Sequence, residues 1–301
     1  MSKPVSAAWL SLVTGNTRLH WGFFQQQQLI GAWHTPHLSA EQVRYLRKAS
    51  FVSTAWQAIA DLTSTERAVF PSSRLPLSAF WVAAPPDQAA LWAESPSTHQ
   101  IQRAGFPISG LYSTLGLDRA VNLLGAGSTL GWPVLVIDGG TALTFTAAGP
   151  EQQTGTSAAP VALYGGAILP GIRLQGEALA LRTTTLKGAA AASQALLEPA
   201  ADSQEPPGLP ARWAVDTVGA IASGLAYGAT ATIADYLTDW WQQFPTGQAV
   251  LTGGDGPALY KLLQQRTPAI AARVQVDSHL MFWGMRAYRQ AVSQDSGSIT
   301  A

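Results

Sequence analysis

Apolar and polar positions follow the same order in two stretches of the chain. Trp9, Leu10, Leu12 and Val13 lead into the polar turn Thr14-Gly15-Asn16-Thr17-Arg18, and Leu19 and Trp21 follow it. Val134-Leu135-Val136-Ile137 lead into Asp138-Gly139-Gly140-Thr141, and Leu143 and Phe145 follow. Each pattern predicts a strand, a tight turn and a second strand. Two copies predict two related half-molecules facing one cleft. Small turn residues let backbone N–H groups and a Thr hydroxyl approach a phosphate closely.

The rest of the chain alternates between the two periods. Residues 8–35 read as a β-meander, and Ser39-Ala40-Glu41-Gln42 as the capped start of a helix running through Arg47. Phe51-Val52-Ser53 reads as a short buried strand, Ser64–Arg67 as a helix start, Ala79–Val82 as a strand and Pro86–Ala93 as a helix. Gly116 through Ala126 reads as a turn feeding a helix whose apolar face holds Leu117, Val121 and Leu124. A second half is expected from about Trp132. Residues 188–211, rich in Ala, Pro and Ser, are expected to form an exposed loop or flexible insertion. Helical spacing returns from Asp216 to about Trp241. Ala249–Thr252 is then a strand, Gly253–Gly256 a glycine turn, Ala258–Gln264 a helix and Trp283–Val292 a last helix, with a frayed tail after Ser293. Strands alternating with helices predict an α/β fold.

Composition narrows the function classes. Charged residues are only 12% of the 301, against about a quarter in an average domain, so part of the surface is expected to be covered in an oligomer. Net charge is zero and no basic stripe exists, which argues against nucleic-acid binding. The absence of cysteine removes disulfides, zinc-thiolate sites and thiol catalysis. The N-terminus is a poor signal peptide, no uninterrupted apolar stretch is long enough to span a bilayer, and a cytoplasmic location is expected.

Several residues could carry chemistry. Asp138 ends a buried strand, where a carboxylate is costly unless paired or bound to a cation; it is either a cation or phosphate site beside Thr141 or a turn-stabilising Asp. Asp118 and Arg119 begin a helix, which favours the ionised carboxylate; they are a candidate base and anion clamp, or a plain surface pair. Thr252-Gly253-Gly254-Asp255-Gly256 suits close backbone approach to a nucleotide, although simple βα loops use glycine as well. Gly165–Gly171 reads as an apolar, glycine-bounded loop lining a pocket or a subunit contact, or as a strand with a turn. His34 and His37 read as solvent residues in a loop, and the eleven tryptophans as core and interface anchors. No Walker P-loop, dinucleotide fingerprint or serine-hydrolase elbow is present.

Taken in order, these pieces resemble type III pantothenate kinases. The series is Gly15-Asn16-Thr17, Gly116-Leu117-Asp118-Arg119 with Asn122, Ile137 through Thr144, Gly165 through Gly171, Asp216-Thr217 with Ser223-Gly224, Thr252-Gly253-Gly254, and Asp277 before Gly284. The resemblance implies two ribonuclease-H-like (actin-like ATPase) domains, expected at 1–127 and 128–301, and ATP-dependent phosphorylation of pantothenate to 4′-phosphopantothenate. It implies Asp118 as the base, with Tyr112, Gly116, Leu117, Asp118, Arg119 and Thr217 at the pantothenate. ATP phosphates would be held by Val13, Thr14, Gly15, Asn16, Thr17, Arg18, Leu19, His20 and Thr141. Asp138 would bind a monovalent cation, K+ or NH4+, and ATP would bring Mg2+. The family is dimeric, so a homodimer is expected.

The chain departs from the family pattern at particular positions. Val13 stands where the family has Asp, and His20 where many members have another basic or polar residue. Ser109 stands at the family Tyr upstream of the Gly-x-Asp-Arg motif, with Tyr112 nearby, and Asp216 replaces an Asn. Val13 keeps two rivals open: a non-catalytic nucleotide-binding regulator on the same fold, and another phosphotransferase of the superfamily.

Overall fold

The computed structural model describes residues 8–59, 77–92, 98–151, 161–198 and 208–298. Contacts divide the chain into two compact units. One holds residues up to Pro107, Leu111–Gly125 and everything from Met281; the other holds Ile108–Gly110 and Ala126–Leu280.

The first unit is built on a sheet of β1 (Ala8–Thr14), β2 (Leu19–Gln25), β3 (Gln28–Thr35), β4 (Leu77–Ala83) and β5 (Thr98–Gln100). Its order is β3-β2-β1-β4-β5; the first three strands are antiparallel, and β4 and β5 run parallel to β1. The central strand β1 is buried along its whole length, so both faces must be covered. Leu10 and Leu12 face a core shared with Val43 and Leu46 of α1 (Ala40–Lys48), Ala55 and Trp56 of α2 (Ser53–Ile59) and Ala89 of α3 (Pro86–Ala89). Within that core Trp21 meets Trp56 edge-on at 4.8 Å and Trp92 at 5.3 Å, the geometry that the ring quadrupole favours. Toward α10 (Leu280–Ser298), Phe282 packs against Gly22 so closely that a Cβ there would lie 2.7 Å away, and the Arg289 guanidinium sits 4.8 Å over the Trp9 ring. The meander, the capped helix and the Ala79–Val82 strand are found as expected. Ser39 caps α1 reciprocally with Gln42.

The second unit repeats the same topology. Strands β6 (Val134–Gly139), β7 (Ala142–Pro150), β8 (Val161–Pro170), β9 (Gln248–Thr252) and β10 (Gln275–Val276) stand in the order β8-β7-β6-β9-β10. An antiparallel meander is again followed by two strands parallel to its first. The two hairpin turns therefore occupy equivalent places in two like sheets. The helices of this unit are the C-terminal end of α4 (Leu117–Leu130), α5 (Ile172–Arg182), α6 (Ala189–Ala195), α7 (Thr217–Gln243), α8 (Gly256–Arg266) and α9 (Pro268–Ala271).

Several expectations need correction. Phe51–Ser53 is not a strand. Ser50 and Phe51 both take positive φ (54°), and Phe51 N–H bonds back to Leu46 O at 2.9 Å, closing α1 and turning the chain into α2. Gly165–Pro170 is the end of strand β8, not a loop, and Gly171 begins α5. Residues 188–198 are not an exposed loop: alanine is the best helix former, and α6 buries Ala189, Ala192 and Ser193, followed by buried Leu196 and Leu197. Its close neighbour is Gly176 of α5, where a Cβ would lie 2.3 Å from Ser193 Oγ. The last helix runs to Ser298, past the expected fraying point. Pro86–Ala93 shortens to Pro86–Ala89. The Ser64–Arg67 helix and residues 199–207 lie outside the described residues. Among the described residues one helix, α7, is long and apolar enough on average to cross a bilayer, but polar residues including Asp235 interrupt it, in keeping with the sequence expectation of no uninterrupted apolar span. Its Leu225, Ile233, Leu237 and Trp240 form the core of the second unit.

Candidate functional site

The first hairpin turn is closed by Gly15 N–H bonding to Arg18 O at 3.0 Å. Strand register sets Val13 opposite His20 and Thr14 opposite Leu19. Val13 is fully buried, so it offers packing only. Thr14 is buried too, and its hydroxyl has no hydrogen-bond partner in the structure. A buried hydroxyl left without a partner costs about 1–3 kcal/mol, which suits a turn that receives a polar ligand. Gly15 makes room for His20, since a Cβ there would lie 2.9 Å from His20 Nε2. Asn16, Thr17 and Arg18 are exposed around the turn. His34 and His37 are exposed, as expected, but His34 lies on β3 rather than in a loop, and both rings have partners. His34 Nδ1 is 2.9 Å from His20 Nδ1, and His37 Nε2 donates to Asn16 O at 3.1 Å. Burial, His34 and Arg18 push His20 down to about 4.

The same unit carries the Asp118 group. Gly116 opens α4, and its missing side chain is the space that the Asp118 carboxyl fills: a Cβ would lie 2.3 Å from Asp118 Oδ1. Burial pushes the Asp118 carboxyl above its ordinary value, opposed by the Arg119 backbone N–H and guanidinium. Arg119 is buried and donates from its guanidinium to the Tyr112 hydroxyl at 3.3 Å, while the Tyr112 ring is exposed. Tyr112, Gly116, Leu117, Asp118 and Arg119 therefore form one group. Ser109 does not join it through its hydroxyl, which donates to Val161 O at 3.3 Å as its backbone pairs with the edge of β8.

Thr217, Asp138 and Thr141 belong to the second unit. Thr217 is exposed on the first turn of α7, behind Asp216, whose carboxylate accepts from Gly219 N–H at 2.8 Å. Asp138 ends β6 and pairs with Thr144 on one side and Thr252 on the other. Gly253 packs against its carboxylate, and Gly171 packs against the turn that follows it. Gly253 has φ +87°, and a Cβ there would lie 2.3 Å from both Asp138 Oδ1 and Gly139 O. Gly171 donates its N–H to Thr141 O at 2.9 Å, and a Cβ would strike Gly140 O. Gly139, Gly140, Gly171 and Asp255 line a small recess. Carboxylate and carbonyl oxygens are the donors that hard cations take, and Asp138 and its turn offer both. Among the described residues no three His, Asp or Glu side chains are gathered as a metal cluster.

The sequence reading missed Asp255. It is buried beneath the Gly253-Gly254 turn; burial raises its carboxyl, and Arg173 lies 3.5 Å away with a second bond to Glu198 at 3.0 Å. Its place directly after the glycine pair was the available signal.

Comparison with known proteins gives the family. The profile of the type III pantothenate kinase family matches residues 9–239. A type III pantothenate kinase of Nostoc sp. is 35% identical over 95% of both chains, and one of Thermosynechococcus vestitus is 34% identical over 98% of this chain and 95% of its own. A Baf-family protein from Campylobacter jejuni shares the fold at a TM-score of 0.53 and 16% identity, covering 96% of this chain and 99% of its own. The expected α/β fold is the one found, in two units built on like sheets. This chain belongs to the type III pantothenate kinase family.

Proposed function

We propose that the protein transfers the terminal phosphoryl group of ATP to the primary hydroxyl of pantothenate, giving 4′-phosphopantothenate, the first step of coenzyme A synthesis. The observation that carries this proposal is the Asp118 carboxyl, lifted by burial in a space cleared by Gly116 and flanked by Arg119 bound to Tyr112. A carboxyl so lifted is a stronger base once ionised, and general-base help is worth about 10²–10⁴ in rate. Asp118 takes the hydroxyl proton; Arg119 and Tyr112, with Thr217, hold the carboxylate and hydroxyl groups of pantothenate. The turns at 13–20 and at Thr141 hold the ATP phosphates, whose positioning and charge neutralisation dominate phosphoryl transfer. Mg2+, carried on the nucleotide, and K+ or NH4+, held at Asp138, would supply positive charge to the phosphates. The first forty residues hold no Asp or Glu, so the first turn offers Mg2+ no carboxylate.

Further proposals concern assembly and place. Trp213, Val215 and Val218 stand exposed around the start of α7, and with the low charge they support a homodimer. Use of ATP supports a cytoplasmic location. The experiment is a coupled kinase assay with pantothenate and ATP, run in potassium and in sodium. Turnover that is faster in potassium is the expected result. ATP binding without phosphorylation of pantothenate would overturn the proposal in favour of a nucleotide-binding regulator.

A further inference from the structure

Two imidazoles meet beside the first hairpin turn. A register shift at Phe23/Phe24 advances β2 against β3, so that His20 stands opposite His34 with their Nδ1 atoms 2.9 Å apart. At that distance one nitrogen must carry hydrogen and the other must accept it. The other nitrogen of His20, Nε2, lies over Gly15 at the turn. His20 is half-buried and His34 exposed. The groups around the pair are Arg18 in the turn and His37, whose Nε2 is spent on Asn16 O. Pushed down to about 4, His20 stays neutral where an ordinary imidazole titrates.

We propose that His34 is a positioning residue for His20: its Nδ1–H donates to His20 Nδ1, which fixes the His20 proton on Nε2 and aims that N–H over Gly15 as a neutral donor to the nucleotide phosphates. The proposal rests on residues 13–20 being a phosphate turn.

The test uses the full chain labelled with 15N-histidine, whose five histidines give few signals. His20 is expected to stay neutral from pH 8 to 5.5, with a pyrrole-type Nε2 and a pyridine-type Nδ1. In His34→Ala this becomes a tautomer mixture; His34→Asn, whose amide N–H replaces Nδ1–H, restores it. His34→Ala raises KM for ATP about fivefold, the worth of one neutral hydrogen bond, and leaves KM for pantothenate where it was. His34→Asn recovers most of that loss. In a His20→Gln background, where the amide supplies its own donor, His34→Ala has no further effect. An unchanged His20 tautomer in His34→Ala overturns the proposal, as does an equal KM effect in the Gln background. Failure of the phosphate-turn reading has its own signature: saturating ATP leaves the His20 Nε2 resonance unshifted in every form, which removes the donor role whatever the state of the pair.

Discussion

Asp118 sits where an ionised carboxylate is expensive. Its raised value means that the folded state holds the proton more tightly than the unfolded one, so this group's contribution to stability is lost as pH rises past the ordinary carboxylate range. Asp118→Asn is therefore expected to melt higher at pH 7 while its turnover falls about 10²–10⁴-fold; thermal melts and the coupled assay check the two halves together. Gly116→Ala should lose turnover similarly with ATP binding kept, because its Cβ would displace the carboxyl; calorimetry with ATP separates the two effects. His20 has the opposite sign. Its depressed value leaves the unfolded chain richer in protons between pH 6.5 and 4, so stability falls across that window as the solution is acidified, by about 2–3 kcal/mol. Denaturant midpoints should show the fall in the native chain and a flatter profile in His20→Gln. The sequence placed Asp118 at a helix start, which left a plain surface pair open; only the family resemblance singled it out as a base. His34 was not legible. An unbulged two-residue hairpin would set Trp33 opposite His20, and only the shift at Phe23/Phe24 brings His34 there instead.

Elements meet through glycines that cannot be enlarged. Gly284 of α10 lies against α4, and a Cβ there would be 1.9 Å from Val121 O. Gly284→Ala should destabilise the chain by about 1–3 kcal/mol through overpacking, read as a lower urea midpoint at unchanged slope. Gly253→Ala faces both a positive φ and the Asp138 carboxylate; loss of potassium activation is expected alongside a lower melting temperature. The hairpins and long helices were readable because their periods are sustained over many residues. Phe51–Ser53 misled because three apolar residues do not define a period. The Ala-rich run at 188–198 misled because its composition suits a loop as well as a helix, and the space beside Gly176 that decides the matter lies far from it in sequence.

At the scale of the molecule, the repeat read from two turns extends to two whole sheets with the same strand order and sense. The repeat does not predict which surface is shared between chains. The exposed Trp213 and Val215 point to the start of α7. Light scattering is expected to give twice the 31.7 kDa of one chain, and Trp213→Asp combined with Val215→Asp should return it to one.

The return of the last helix to the first unit carries a consequence for synthesis. Phe282, Met285 and Tyr288 are buried and group with strands made some 250 residues earlier. While the ribosome is still working, Gly22, Val121 and the Trp9 side of β1 have no lining. The strands made first must therefore wait for α10, and an emerging polypeptide is sticky along that flank until that helix is made.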